Sequence, residues 1–164
     1  LYLALEGDRP PGTAYLLYLD RDVAGFDGLA SPTPLDDLAG DLDRALSKEL
    51  FTPAEVRIDF AWGSLDGGRE ALGADPRMGW RDLATNPTAF RAIDASVAPT
   101  ACGSGGVCET AIALATLGAA PGATIGLFAR IGDAASVALA DQTLPMDDPE
   151  APDFVERVLE VPPP

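Results

Sequence analysis

Three aspartates stand close together in Asp20-Arg-Asp-Val-Ala-Gly-Phe-Asp27. Carboxylate oxygens on a short glycine-containing loop are the hard ligands that Ca2+ takes, and such a loop can wrap around the ion. Asp20, Asp22 and Asp27 are therefore the candidate metal ligands, with calcium as the cation. Asp41 and Asp43 would add oxygens if the segment after the loop folds back over it. The pattern is not an EF-hand, because Ala24 holds the fifth position and no Glu holds the twelfth. The competing reading is a solvated acidic loop closed by Asx turns.

Trp62 and Trp80 are the two tryptophans. Sugar rings present apolar C–H faces that stack on indoles, much as bases stack on aromatic platforms. Both are candidate ligand contacts for a polysaccharide or cell-surface glycan. Trp62 shares its strand face with Ile58 and Phe60, which favours core packing. Trp80, in Met78-Gly-Trp-Arg-Asp82, has polar neighbours and is the better ligand contact. Asp59 and Glu109 would support glycoside hydrolysis only if they faced each other at a suitable separation. The chain has no His, which removes the commonest general base, the Ser-His and Cys-His nucleophile systems and the imidazole ligands of zinc and haem. Ser64, Ser104 and Ser136 therefore have no partner base. Gly103-Ser-Gly-Gly106 is not a phosphate loop, since no Lys follows it. No catalytic residue is assigned, and the expectation is a module that is not an enzyme.

Cys102 and Cys108 enclose a five-residue segment with three glycines, which lets the chain turn back and close a disulfide. A loop that short contributes about 2 kcal/mol on the chain-entropy model. The bond implies an oxidising compartment, hence a secreted, periplasmic or cell-surface location. The 26 acidic and 11 basic residues give a formal charge of −15, which argues against nucleic acid and against anionic membrane surfaces. Hydrophobic residues form 47% of the chain, too many for a disordered acidic tail. No apolar run approaches the roughly 20 residues of a membrane span, so no membrane insertion is expected. Lys48 is the single lysine, a bias that fits a high-GC bacterial genome; a salt-adapted cytosolic protein is the rival reading. The opening at Leu1 without Met, and the ending Val161-Pro162-Pro163-Pro164, read as one module cut from a longer protein. Residues 162–164 then begin a Pro-rich linker, and neighbouring domains of the same chain are expected partners.

The elements that must position these residues are read from periodicity. Leu1–Glu6 and Thr13–Leu19 read as a hairpin closed by Asp8-Arg-Pro-Pro-Gly12. Asp20–Pro34 is a long loop. Leu35–Glu49 carries Leu35, Leu38, Leu42, Ala45 and Leu46 at helical spacing. Glu55–Trp62 alternates strictly, with Val56, Ile58, Phe60 and Trp62 on one face. Further strands are expected at Arg77–Leu83, Phe90–Ile93, Val107–Leu114, Thr124–Ile131, Ser136–Leu139 and Phe154–Val161. The pattern predicts a mainly all-β chain. It is an antiparallel β-sandwich of about eight or nine strands with one short helical insertion at 35–49, a single domain over 1–161.

Several segments carry a resemblance. Leu1-Tyr-Leu-Ala-Leu-Glu-Gly7 with Leu16-Leu-Tyr-Leu-Asp-Arg-Asp22 resembles the first strands of DOMON-like, family-nine-type carbohydrate-binding β-sandwiches of secreted bacterial proteins. Cys108-Glu-Thr-Ala-Ile-Ala-Leu-Ala-Thr-Leu-Gly118, Gly122–Ile131 and Asp141-Gln-Thr-Leu-Pro145 are similar to later strands of that group, and Gly40–Leu46 to a segment of its bacterial subset. The chain departs from the pattern in its helical insertion, in Ala113 where a Pro is usual, and in lacking a matched aromatic clamp. Relatives that bind haem use a His, so no haem is expected. The resemblance implies a non-catalytic extracellular module, carbohydrate-binding or surface-interacting, appended to a larger exported protein. The alternative is a structural or adhesive spacer domain, calcium-stabilised and without a small-molecule ligand.

Overall fold

The computed structural model describes residues 1–6, 13–23, 25, 28–32, 41–47, 50–65, 78–85, 89–103, 107–120, 122–133, 139–145, 155 and 159–161. Asp27, Leu35, Leu38 and the expected linker at 162–164 lie outside them. The described strands are β1 (Tyr2–Leu5), β2 (Thr13–Asp20), β3 (Phe60–Leu65), β4 (Met78–Asp82), β5 (Arg91–Ala92), β6 (Thr100–Cys102), β7 (Cys108–Ala111), β8 (Ile125–Asp133), β9 (Leu139–Leu144) and β10 (Leu159–Val161). Two short helices join them, α1 (Asp41–Leu46) and α2 (Leu114–Leu117). The strands form two antiparallel sheets: a smaller one in the order β1-β7-β6, and a larger one in the order β10-β8-β2-β3-β4-β5, with β9 also paired to β8. The chain is the all-β sandwich expected from its periodicity.

The expected hairpin between the first two strands does not form. β1 pairs with β7, whereas β2 lies between β3 and β8 in the other sheet. Side-chain patterning explains the separation. Along β1, exposed Tyr2 and Ala4 alternate with inward-packed Leu3 and Leu5, which suits a sheet with one wet face. Along β2, Ala14, Leu16 and Tyr18 enter one core and Tyr15, Leu17 and Leu19 enter another. A strand that is apolar on both faces must be central and covered twice. The smaller sheet covers one face of the larger sheet, and α1 packs on the other.

On the α1 side, Leu42, Ala45 and Leu46 are fully buried. Gly63 of β3 admits them, since a Cβ there would stand 2.7 Å from Leu42 Cδ1. Asp43 on α1 accepts from Arg81 Nε of β4 at 2.6 Å, and both side chains are largely buried. This pair ties the helix to the sheet. Tyr18 stacks on Phe128 with ring centroids 5.2 Å apart and donates its hydroxyl to Leu46 O at 2.9 Å. Burial pushes the Tyr18 phenol far above its ordinary value, opposed in part by the nearby Arg130 cation.

The strand expected over Glu55–Trp62 divides at Asp59. Val56 and Ile58 enter the α1-side core, while Phe60 and Trp62 enter the core between the sheets. Regular pairing begins only at Phe60, opposite Leu19. Asp59 sits at the break, its N–H donating to Leu19 O and its carbonyl accepting from Leu83 and Ala84. Two short elements complete the described fold. The three-residue strand β6 has no alternation long enough to read, and residues 114–117 close a helical turn that Gly118 caps with φ of 66°.

Candidate metal centre

Three strand ends meet where the larger sheet turns over. β2 ends at Asp20, opposite Gly126 of β8. The next residues leave the sheet, and Val23 N–H donates to Thr124 O. The chain then returns to form an isolated bridge between Leu29 and Ile58, one residue before Asp59. This path brings one carboxylate oxygen each from Asp20, Asp22 and Asp59 to within 4.8 Å of one another. Two oxygens on one Ca2+, each at about 2.4 Å, stand no farther apart than that.

Backbone N–H groups hold Asp20 and Asp59. Asp20 Oδ1 accepts from Asp22 N–H at 3.0 Å, an Asx turn, and Asp20 Oδ2 accepts from Arg57 N–H at 3.0 Å. Asp59 Oδ2 accepts from Arg21 N–H at 2.9 Å, and the Arg21 Nε stands 3.9 Å from the same oxygen. Asp20 is 2% exposed and Asp59 fully buried, so this is a recess in the fold and not a solvated acidic surface. The loop closes tightly around it. A Cβ on Gly25 would run into the Asp22 carboxylate, and one on Gly28, at φ 76°, would stand 2.9 Å from Asp59 Oδ1. Both glycines are needed for that approach. Hard, anionic oxygens in a partly dry recess suit Ca2+ better than a soft or imidazole-preferring metal.

Of the expected ligands, Asp20 and Asp22 stand in the cluster and Asp27 lies outside the described residues. Asp43 is taken up by Arg81 on the α1 face and does not reach the cluster. Asp59, read in the sequence only as a strand acid, supplies the third carboxylate. Its other expected role also dissolves. Glu109 lies exposed on the smaller sheet, while Asp59 is buried at the start of β3 on the larger one. The two do not form a facing pair.

The indole platform expected for a sugar ring is corrected by burial. Trp62 and Trp80 are cross-strand partners on β3 and β4, and neither has any exposed surface. Trp62 Nε1 donates to Thr100 Oγ1 at 3.0 Å and Trp80 Nε1 to Thr110 Oγ1 at 2.7 Å. Packed between the sheets with both N–H groups used inside, they present no face to a ligand. The residues between sheets demanded this: an indole on a covered face must find an acceptor there, and Thr100 and Thr110 are paired across β6 and β7.

Cys102 and Cys108 are joined in a disulfide directly across the β6–β7 register. Ser64 Oγ of β3 lies 3.2 Å from Cys102 Sγ and 3.6 Å from Cys108 Sγ. Neither bonded sulfur carries a hydrogen, so the hydroxyl is the donor. No described helix is long and apolar enough to cross a membrane. No family model, curated protein or solved structure matches the chain.

Proposed function

We propose that this chain is a non-catalytic β-sandwich module of an exported protein, a structural spacer in which Asp20, Asp22 and Asp59 hold one Ca2+. The convergence of three carboxylates from two strand ends, within the span one cation subtends, carries the reading. The ion would join β2, the returning loop and the start of β3 at the point where the sheet's hydrogen bonding is interrupted. The Cys102–Cys108 bond supports the oxidising setting in which millimolar calcium is common.

Calorimetric titration of chelator-treated protein with Ca2+ tests this. One site per chain is expected, with weaker heat for Mg2+, whose octahedral demand the packed recess does not meet. Asp22→Asn, at the more exposed ligand, should abolish the binding while leaving a folded domain. Absence of heat, or binding unchanged in Asp22→Asn, refutes the assignment. A second reading keeps a glycan partner on a different aromatic. Tyr2 is 64% exposed on the outer face of the smaller sheet, with exposed Glu109 on the same face of the paired strand. An oligosaccharide-dependent change lost in Tyr2→Ala would support it; indifference to every sugar tested would remove it.

A further inference from the structure

The disulfide is unequally placed, and that inequality gives it a direction of opening. Cys108 is 1% exposed, whereas Cys102 is only partly buried on β6, a three-residue outer strand of the smaller sheet. β6 holds the acceptor for an interior donor, since Thr100 Oγ1 receives the Trp62 indole N–H. The Ser64 hydroxyl, fully buried on β3, points at both sulfurs. We infer that the Cys102–Cys108 bond is a thiol-operated latch on β6, opened by an external dithiol that attacks Cys102 Sγ.

The chemistry balances as ordinary exchange. A thiolate of the dithiol forms a bond to Cys102 Sγ while the Cys102–Cys108 bond breaks. The electron pair goes to Cys108 Sγ, which leaves as a thiolate facing the Ser64 hydroxyl. The second thiol of the reductant then displaces Cys102. The dithiol ends as a disulfide, and its two protons end on Cys102 and Cys108. Ser64 is a positioning residue: it donates to a sulfur whose charge grows as the bond breaks, in an interior that otherwise opposes that charge. Once the bond is open, β6 is held by its short ladder to β7 and by the Thr100 contact, so its release alters the surroundings of Trp62.

The test is reduction of the folded, full chain by dithiothreitol under native conditions. Thiol release is followed beside tryptophan emission and amide exchange. The latch predicts a rate linear in dithiothreitol, a red shift of emission, and faster exchange confined to residues 100–102, with a cooperative melt retained. Ser64→Ala should slow reduction by about tenfold, the scale of one hydrogen bond to a charged group, without changing the emission of the oxidised protein. A rate that levels off with reductant shows that reduction waits for global opening, and overturns the inference. So does wholesale unfolding on reduction, or release of both thiols with emission unchanged. An unaltered rate in Ser64→Ala overturns the role of the hydroxyl.

Discussion

Thr110→Val should destabilise the fold more than Thr100→Val, although both replace a hydroxyl by a methyl of similar size. The order follows from where each hydroxyl proton must go. Thr110 Oγ1 lies 3.1 Å from Pro99 O, which can only accept, so Thr110 donates there. Thr100 Oγ1, 2.9 Å away, must then donate to Thr110, whose oxygen also accepts from Trp80 Nε1. Thr100 in turn accepts from Trp62 Nε1. Removing the Thr110 hydroxyl strands two donors, the Trp80 N–H and the Thr100 O–H; Pro99 O keeps Ala111 N–H. Removing the Thr100 hydroxyl strands only the Trp62 N–H. Each buried donor left without an acceptor costs roughly 1–3 kcal/mol. Thr110→Val should therefore lose about 2–5 kcal/mol and Thr100→Val about half of that. At roughly 2–4 °C per kcal/mol for a domain of this size, the midpoints should fall by about 5–15 °C and about 3–8 °C. Urea unfolding followed by tryptophan emission reads both variants, and the double variant should cost less than the sum of the two. Equal losses, a larger loss for Thr100→Val, or losses under about 0.5 kcal/mol for both would show that the relay does not join the sheets as described.

Three further outcomes follow from the other buried polar groups. Arg81→Met strands the Asp43 carboxylate against the sheet and should cost about 3–5 kcal/mol, whereas Arg81→Met with Asp43→Leu should recover most of it; denaturant midpoints of the three proteins decide. Tyr18 has a folded-state pKa raised above its unfolded value near 10, so the unfolded chain loses the phenolic proton first as pH rises. The Tyr18 contribution to stability should be constant below pH 10 and fall by about 1.4 kcal/mol per unit above it, and unfolding free energies at pH 9–11.5 should show that this slope is smaller in Tyr18→Phe. Asp59→Asn relieves repulsion within the carboxylate cluster, so without calcium its melt should equal or exceed that of the parent, while calcium should raise only the parent's; a calcium response retained in Asp59→Asn would break the assignment.

What was legible in the sequence depended on how many neighbours a residue's position required. The sandwich was legible because β8 alternates at a period that no helix shares and β2 is a short apolar run bounded by turn residues, and the Cys102–Cys108 bond because the chain has two cysteines on a short glycine-containing segment. Pairing was not legible from proximity along the chain. β1 and β2 look like a hairpin, and only the difference between one apolar face and two sends them to different sheets. The candidate site failed in the same way. Asp20 and Asp22 stand two residues apart and are read together from local spacing; Asp59 arrives from 37 residues farther on than Asp22, through pairing of β2 with β3, and no local spacing announces it. The tryptophans erred in the opposite direction. Polar residues beside Trp80 suggested a wet strand, but Arg81 points to the α1 core and its ion pair with Asp43, so the polar neighbour is itself buried. A polar residue next to an aromatic in the sequence therefore reports exposure only when the opposite face of the strand is open, and in a sheet covered on both sides that premise fails.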